Sequence, residues 1–191
     1  MKTLTFLSAS GKIQYDTRDN INVPRDGEYI GVECIYNPAL IDLKANFLRL
    51  RLDTRAYISL DRLSSIILAL RCKAENIWGE HPFFESAFLG VNESLRGFER
   101  QRFAGDASVL GGMELRGRIV QIPFIVPLWM GATGFVETGR VFLSNENSKR
   151  WHNVIGAGLW FSFIKPDYVV NFSLARSEDK FAFYATMGFM F

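Results

Sequence analysis

The stretch FLRLRLDTRAYISL, from Phe47 to Leu60, alternates apolar and polar side chains from Leu48 onward, except at Thr54. The apolar positions are Leu48, Leu50, Leu52, Ala56, Ile58 and Leu60, and the polar positions are Arg49, Arg51, Asp53, Arg55, Tyr57 and Ser59. Successive side chains of a β-strand point to opposite faces, so this period of two predicts one long amphipathic strand.

The same period recurs along the chain and predicts nine strands. They are expected to start near residues 3, 27, 45, 64, 107, 126, 151, 167 and 181. The last of them alternates to the end of the chain, with Phe181, Phe183, Phe189 and Phe191 on its apolar face. Turn sequences such as SNENSK and RSEDK separate them. The sequence has no capped helix, interdomain linker or low-complexity segment. The 191 residues therefore predict a single all-β, antiparallel domain over residues 1–191.

Two all-β folds fit this pattern. A soluble β-sandwich, such as a binding module, turns its apolar faces inward. A transmembrane β-barrel turns them to lipid and lines a lumen with the charged faces. Three features favour the barrel. The strands reach about 10 to 14 residues, the polar faces carry rows of arginines, and aromatic residues lie near strand ends. Those aromatic residues are Tyr15, Tyr36, Trp78, Trp129, Trp151 and Tyr168.

The composition argues against several classes of function. A net charge of +2 is too small to predict a nucleic-acid partner. Two cysteines and two histidines do not form a metal-ligand cluster or a disulfide framework. Ser94 and Ser108 lie in no serine–histidine–aspartate motif. We therefore predict no catalytic residue, no cofactor and no metal, and no apolar run is long enough for a transmembrane helix.

One long loop differs from an ordinary hairpin turn. The stretch ESLRGFERQRFAGDASVLGGMELR, from Glu93 to Arg116, contains Arg96-Gly97-Phe98 and then a strand with a lone inward Glu114. A guanidinium carries five donors and keeps its charge, so Arg96 requires acceptors if it lies inside a barrel. The strand alternation places Glu114 and Glu137 on the lumen side of adjacent strands. An exposed loop with solvated arginines stays open as the alternative.

These motifs resemble those of the BamA/TamA superfamily, the bacterial surface antigen family of outer-membrane assembly and translocation barrels. Arg96-Gly97-Phe98 matches the family's loop motif, and Glu114-Leu115-Arg116 matches its following strand. The segment from Phe135 to Gly139 matches a Phe-x-Asp-x-Gly pattern, with Glu137 in place of the aspartate. The last strand, with Gly188 and Phe191, resembles the family's C-terminal targeting signal.

The resemblance implies that the loop folds back into the lumen. Arg96, Gly97 and Phe98 would then meet a wall that includes Glu114, Glu137 and Gly139. Gly97 would permit close backbone passage, and Phe98 would pack against the wall. It also implies a non-enzymatic, integral protein of the bacterial outer membrane that inserts or passes outer-membrane polypeptides. The implied partners are outer-membrane lipid, client polypeptides and proteins of the assembly machinery.

The family's complete barrel has about 16 strands and is preceded by POTRA domains, so the chain resembles its C-terminal half without a POTRA domain. Nine strands are an odd number, whereas single-chain bacterial barrels have even numbers. Three explanations stay open: part of a larger barrel, a miscounted barrel of eight strands, or paired half-barrels. Two further functions also stay open: a small structural or pore-forming barrel, and a membrane anchor for a fused enzyme domain.

Overall fold

The computed structural model describes residues 7–40, 45–63, 65–90, 95–123, 127–144, 149–163 and 168–191. The strands, numbered β1 to β11 in chain order, are Ala9–Asp16, Gly27–Asn37, Phe47–Ser59, Ile66–Gly79, Ala87–Leu89, Phe103–Gly105, Ala107–Ile122, Leu128–Phe142, His152–Phe163, Val169–Arg176 and Phe181–Met187. Nine of them form one antiparallel sheet in the order β1-β2-β3-β4-β7-β8-β9-β10-β11. The connection from β4 to β7 contains a 3₁₀ turn, Phe83–Glu85, and the two-stranded sheet β5-β6.

This sheet confirms the predicted all-β antiparallel fold. From β2 onward, the main-sheet strands begin within two residues of the predicted positions. The first strand was predicted near residue 3, whereas β1 is described from Ala9, and residues 1–6 lie outside the described part. The sequence did not predict β5 and β6, because three residues are too few to display a period of two.

The two faces of the main sheet differ in chemistry. We call the face that receives the β4–β7 connection the inner face and the opposite face the outer face. On β3, outer Leu50 is 39% exposed, whereas inner Arg49 and Tyr57 are 6% and 2% exposed. Apolar side chains are therefore exposed outside while charged ones are buried inside. That is the reverse of a water-soluble sandwich.

Ion pairs occupy the inner face of β2, β3 and β4. Arg51 lies 3.2 Å from Glu33, and Asp53 lies 2.6 Å from Arg55 and 3.5 Å from Lys73. The antiparallel register brings these side chains together, since residue pairs such as Asp53 and Lys73 stand directly opposite each other. These carboxylates are committed to ion pairs, which accounts for their presence without acid–base catalysis.

The described sheet has two open edges. β1 pairs with β2, β11 pairs with β10, and no pairing between β1 and β11 is found in the described residues. In this part of the chain, the inner face of the sheet therefore receives the β4–β7 connection, and the two edge strands do not pair with each other. Within those same residues, no helix is long and apolar enough to cross a membrane.

Two predicted aromatic positions are wrong. The alternating pattern placed Phe189 and Phe191 on the apolar face of the last strand, but β11 ends at Met187 and Phe191 is 5% exposed, in contact with inner residues Tyr57 and Ala69. Gly188 causes the change, since its φ of 79° turns the chain out of the strand. Trp129, predicted near a strand end, is the second residue of β8 and packs against a buried cluster that includes Trp160.

Candidate functional site

The candidate site is the point where the β4–β7 connection folds against the inner face. Its two arms are joined where β5 pairs with β6, with Leu89 opposite Phe103. Between these arms, Leu95, Arg96, Gly97 and Phe98 are all buried, and Arg96 has no exposed surface. The loop is therefore seated on the sheet, and an ordinary solvated loop does not describe it.

Glu137 on β8 binds the backbone and the side chain of Arg96. Its Oε2 accepts a hydrogen bond from the Arg96 backbone N–H at 2.9 Å, and its Oε1 accepts one from Arg96 Nε at 2.7 Å. A second guanidinium nitrogen lies 2.7 Å from the same Oε1. One carboxylate thus fixes both the position of the loop backbone and the direction of the arginine side chain.

Glu114 on β7 binds a different guanidinium nitrogen of Arg96, at 3.0 Å from its Oε2. Its other oxygen accepts a hydrogen bond from Arg116 Nε at 2.8 Å. The Arg96 guanidinium also lies over the Phe135 ring, 3.3 Å from its centroid. Two arginines and two glutamates therefore form a charge-balanced cluster, which we call the buried quartet (Arg96, Glu114, Arg116 and Glu137). Balance matters because an unpaired charge in a buried site is very costly.

Gly97 is held by β11 and by the turn that connects β10 to β11. Its backbone N–H donates to the Tyr184 hydroxyl at 2.8 Å, and its carbonyl accepts from the Ser177 hydroxyl at 2.8 Å. Gly97 has a φ of 78°, and a Cβ at this position would lie 2.9 Å from the Ser177 Cβ. Both the conformation and the close contact require glycine at this position.

Phe98 lies in a hydrophobic cluster on the inner face. The buried members of that cluster are Leu89, Leu95, Phe98, Leu110, Phe135, Val154 and Ala175. The Phe98 ring meets Phe103 edge-on at 5.1 Å between centroids, and it meets His152 in the same way at 5.6 Å. Phe98 therefore anchors the loop by apolar burial beside the ionic contacts of Arg96.

Gly139 faces the base of the same loop. A Cβ there would lie 3.1 Å from Leu89 Cδ1 and 3.3 Å from the Val109 carbonyl oxygen. The absence of a side chain allows the β5 arm to approach the wall closely. The structure thus places the wall residues predicted from sequence, Glu114, Glu137 and Gly139, around the loop.

The exposed end of the loop is tied more weakly. Lys180, in the β10–β11 turn, donates to Glu99 Oε1 at 3.0 Å, and this hydrogen bond lowers the pKa of the Glu99 carboxyl. Both side chains are largely exposed, so salt and water screen the pair and its contribution to docking is small. The buried contacts of Arg96, Gly97 and Phe98 therefore dominate the seating of the loop.

Asp106, Ser144 and His81 form a separate polar cluster in the described residues. Asp106 accepts hydrogen bonds from the Ser144 backbone N–H at 2.7 Å and hydroxyl at 2.6 Å, and His81 Nε2 lies 3.7 Å from its other oxygen. The carboxylate stands between the serine and the histidine, so it does not give Ser144 a histidine base. Within the described ranges there is also no group of three or more metal-ligating side chains.

Comparison with known families decides the identity of this arrangement. The model of the Omp85 superfamily domain matches residues 2–191. The chain belongs to the Omp85 superfamily. Its fold is also that of a solved relative. The crystal structure of BamA from Haemophilus ducreyi lacking POTRA domains 1-3 matches with a TM-score of 0.69 and 18% sequence identity. The match covers 94% of this chain and 40% of that chain. A search of the curated proteins gives no match.

Membership of the Omp85 superfamily confirms the family that the sequence motifs resembled. Sequence reasoning nevertheless missed three residues of the site: Arg116, Ser177 and Tyr184. Arg116 had a signal, since it shares the inner face of β7 with Glu114 two positions away. Ser177 and Tyr184 had none, because Ser177 is a neutral polar residue in an ordinary turn and Tyr184 lies in an ordinary alternating strand. Their partner Gly97 lies 80 and 87 positions away in the chain.

Replacing Gly97 by alanine is expected to weaken the seating of the loop in this Omp85 chain by about 1 to 2 kcal/mol through backbone strain alone. The new Cβ would also press on Ser177, at 2.9 Å. Hydrogen exchange of the residue 97 amide measures this change. Gly134→Ala is the matched control, because a Cβ there meets nothing within 4 Å. Equal exchange in both variants would show that the close contact at Gly97 has no energetic importance.

Proposed function

We propose that this Omp85 chain is an integral part of an outer-membrane barrel that inserts or passes outer-membrane polypeptides. The observation that carries the proposal is the loop motif, seated by the buried quartet on the inner face beside an open sheet edge. Residues 1–191 act as one barrel domain, the C-terminal portion of a larger barrel. The activity is mechanical and needs no catalytic group or cofactor.

The outer face supports a membrane location. Its large apolar side chains are widely exposed, among them Ile13, Ile58, Leu115, Ile155, Phe172, Phe183 and Met187. Exposure of so many large apolar groups in water would favour aggregation, whereas in a bilayer they contact acyl chains. Tyr15, Tyr36, Trp78, Trp151 and Tyr168 are also exposed and suit the membrane interfaces.

The open edges support a larger barrel. In a sheet of nine alternating strands the first and the ninth run in the same direction. Closing this sheet on itself would therefore pair β1 with β11 in parallel, whereas bacterial antiparallel barrels close with even strand numbers. An odd number of additional strands between β1 and β11 removes the conflict. While the seam at β11 is closed, these strands also satisfy the backbone groups of both edges, which lipid cannot do.

The β11 edge supports contact with client polypeptides. Edge strands present unpaired N–H and C=O groups that can bind another strand by backbone pairing. Beyond β11 the chain turns inward at Gly188, so the edge available to a client is short, Phe181–Met187. Gly188 and Phe191 are also proposed as the signal through which assembly machinery recognises this chain during its own insertion.

Site-specific photo-cross-linking in the full-length protein tests the client contact. A photoreactive amino acid is placed at Phe183, on the β11 edge, and for comparison at Leu50, on the outer face of interior strand β3. Newly made outer-membrane proteins are pulse-labelled before irradiation. We expect labelled adducts from position 183 and none above background from position 50.

Equal adducts from both positions in correctly inserted protein would overturn the client contact, because they would mean that β11 does not receive clients. Two further measurements would then identify the replacement function. In that case, ion conductance in planar bilayers would favour a small pore-forming barrel. If deletion of the barrel domain from the full-length protein releases a fused enzyme's activity from the membrane fraction, the barrel is a membrane anchor.

A further inference from the structure

The last four residues of the chain cross from the sheet edge to the opposite part of the inner face. Gly188 N–H donates to the Val169 carbonyl at 2.7 Å, and the chain then leaves the strand direction. Phe189 meets Trp160 edge-on, with 5.9 Å between ring centroids. Phe191 lies beside Tyr57 on β3 and Ala69 on β4. We call residues 188–191 the tail.

Arg116 holds this tail. Its guanidinium lies 4.0 Å from the Phe189 ring centroid and 5.9 Å from the Phe191 ring centroid. A terminal nitrogen of Arg116 donates to the main-chain oxygen of Phe191. The other terminal nitrogen lies 3.5 Å from the Pro24 carbonyl oxygen, in the β1–β2 connection. Arg116 is 1% exposed, so these contacts are shielded from water.

The tail and the loop motif share one carboxylate. Glu114 Oε1 accepts from Arg116 at 2.8 Å, while Glu114 Oε2 accepts from Arg96 at 3.0 Å. The carboxylate is planar and fully buried, so the orientation that suits one arginine also constrains the other. Electrostatic interactions in such a site are weakly screened and reinforce each other.

We propose that Arg116 is a positioning residue that couples the seating of the loop motif to the inward position of the tail. When Arg96 leaves the wall, Glu114 reorients and the hold of Arg116 on Phe191 weakens. When the tail leaves, Arg116 swings towards the vacated space and draws Glu114 from Arg96. The state of the loop is thereby transmitted to the end of the β11 edge strand. The proposal goes beyond client insertion and does not require it.

Reciprocal measurements in the full-length protein test the coupling. Hydrogen exchange of the residue 96 and 97 amides, both hydrogen-bonded in the seated loop, reports on the motif. Maleimide labelling of Met190→Cys, with Cys34 and Cys72 replaced by serine, reports on the tail. Arg96→Met is expected to accelerate tail labelling, and Arg116→Met to accelerate exchange of the loop amides. Each factor should be at least about fivefold, the lower end of the range for coupled sites.

Matched controls come from arginines outside the quartet. Arg118 follows on the same face of β7, is exposed, and donates to Ser65 at 2.9 Å. Arg118→Met should leave loop exchange within about twofold of the parent, below the weakest expected coupling. Arg100→Met, in the exposed part of the loop, should leave the rate of tail labelling within about twofold of the parent.

Only protein with the heat-modifiable gel mobility of a folded barrel is measured, so that misfolded variants do not enter the comparison. Two further variants, Arg116→Lys and Glu114→Gln, test the coupling with smaller changes in side-chain shape. Arg116→Lys keeps the charge, and is expected to give the same direction with a smaller factor, since an ammonium lacks the planar fork. Glu114→Gln should accelerate both reporters at once. The coupling is overturned if Arg96→Met does not accelerate tail labelling. It is equally overturned if Arg116→Met does not accelerate exchange of the loop amides.

Discussion

Replacing Arg96 by methionine is expected to destabilise the seated loop by about 3 to 5 kcal/mol, the usual consequence of removing one partner from a buried ion pair. Methionine fills much of the same volume but donates no hydrogen bond. Glu137 then loses the guanidinium that lies 2.7 Å from its Oε1, and its charge remains inside the wall. Loss of that pairing, and not loss of volume, is the reason for the effect.

Exchange of the loop amides in the full-length protein measures this change. A shift of 3 to 5 kcal/mol corresponds to exchange that is roughly one hundredfold to a few thousandfold faster, when opening is at equilibrium. The control is Arg100→Met, four positions further along the same loop, where the side chain is exposed. We expect it to change exchange little, since exposed charges contribute about 0 to 1 kcal/mol.

A double variant separates charge burial from shape. Arg96→Met combined with Glu137→Gln removes both charges of the pair and keeps a side-chain oxygen that can accept from the residue 96 backbone N–H. Breaking a buried pair is costly because it leaves one charge without its partner, and the double variant leaves no such charge at this pair. The double variant should therefore recover much of the loop seating that Arg96→Met loses. If the double variant is no better than the single one, the guanidinium acts through packing on Phe135 and not through its charge.

The strands were predictable because the environment imposes one rule on each face. In the proposed membrane location, lipid accepts only apolar side chains on the outer face, and the inner face accepts charges that find partners, so each strand alternates. Every residue from Leu48 to Ser59 follows that rule except Thr54, and β3 covers this stretch. The same alternation placed Glu114 and Glu137 on one side of adjacent strands, where Arg96 meets them.

The tail could not be predicted by alternation. Phe189 and Phe191 continue the pattern of Phe181 and Phe183, so the period of two extends the strand to the end of the chain. Gly188 was the local signal of a change, but a glycine in a strand pattern also fits a bulge or close packing. The outcome depends on Arg116 and Trp160, which are distant in sequence and supply the contacts that hold the tail inside.

The second large effect is expected for Glu114→Gln, which should lower the free energy of unfolding by about 3 to 5 kcal/mol. Glutamine has nearly the same shape, so the change removes one charge and replaces one acceptor oxygen by a donor. Arg96 and Arg116 then carry two positive charges against Glu137 alone, in a site with almost no contact with water. Denaturant unfolding of the refolded barrel, followed by gel mobility, measures the loss of stability.

Glu137→Gln is the comparison that gives this result its meaning. It removes the same charge from the same quartet, and it also faces Arg96, so net charge alone predicts the same behaviour for both variants. The contacts predict a difference. The Glu137 carboxylate binds the backbone N–H and the guanidinium of Arg96. The Glu114 carboxylate binds the guanidinium groups of both Arg96 and Arg116. Glu137→Gln should therefore release the loop while Arg116 keeps its bond to Glu114, and Glu114→Gln should destabilise the loop and the tail together. Identical effects on the tail would mean that the balance of charge in the quartet matters, and that the particular bridge through Glu114 does not.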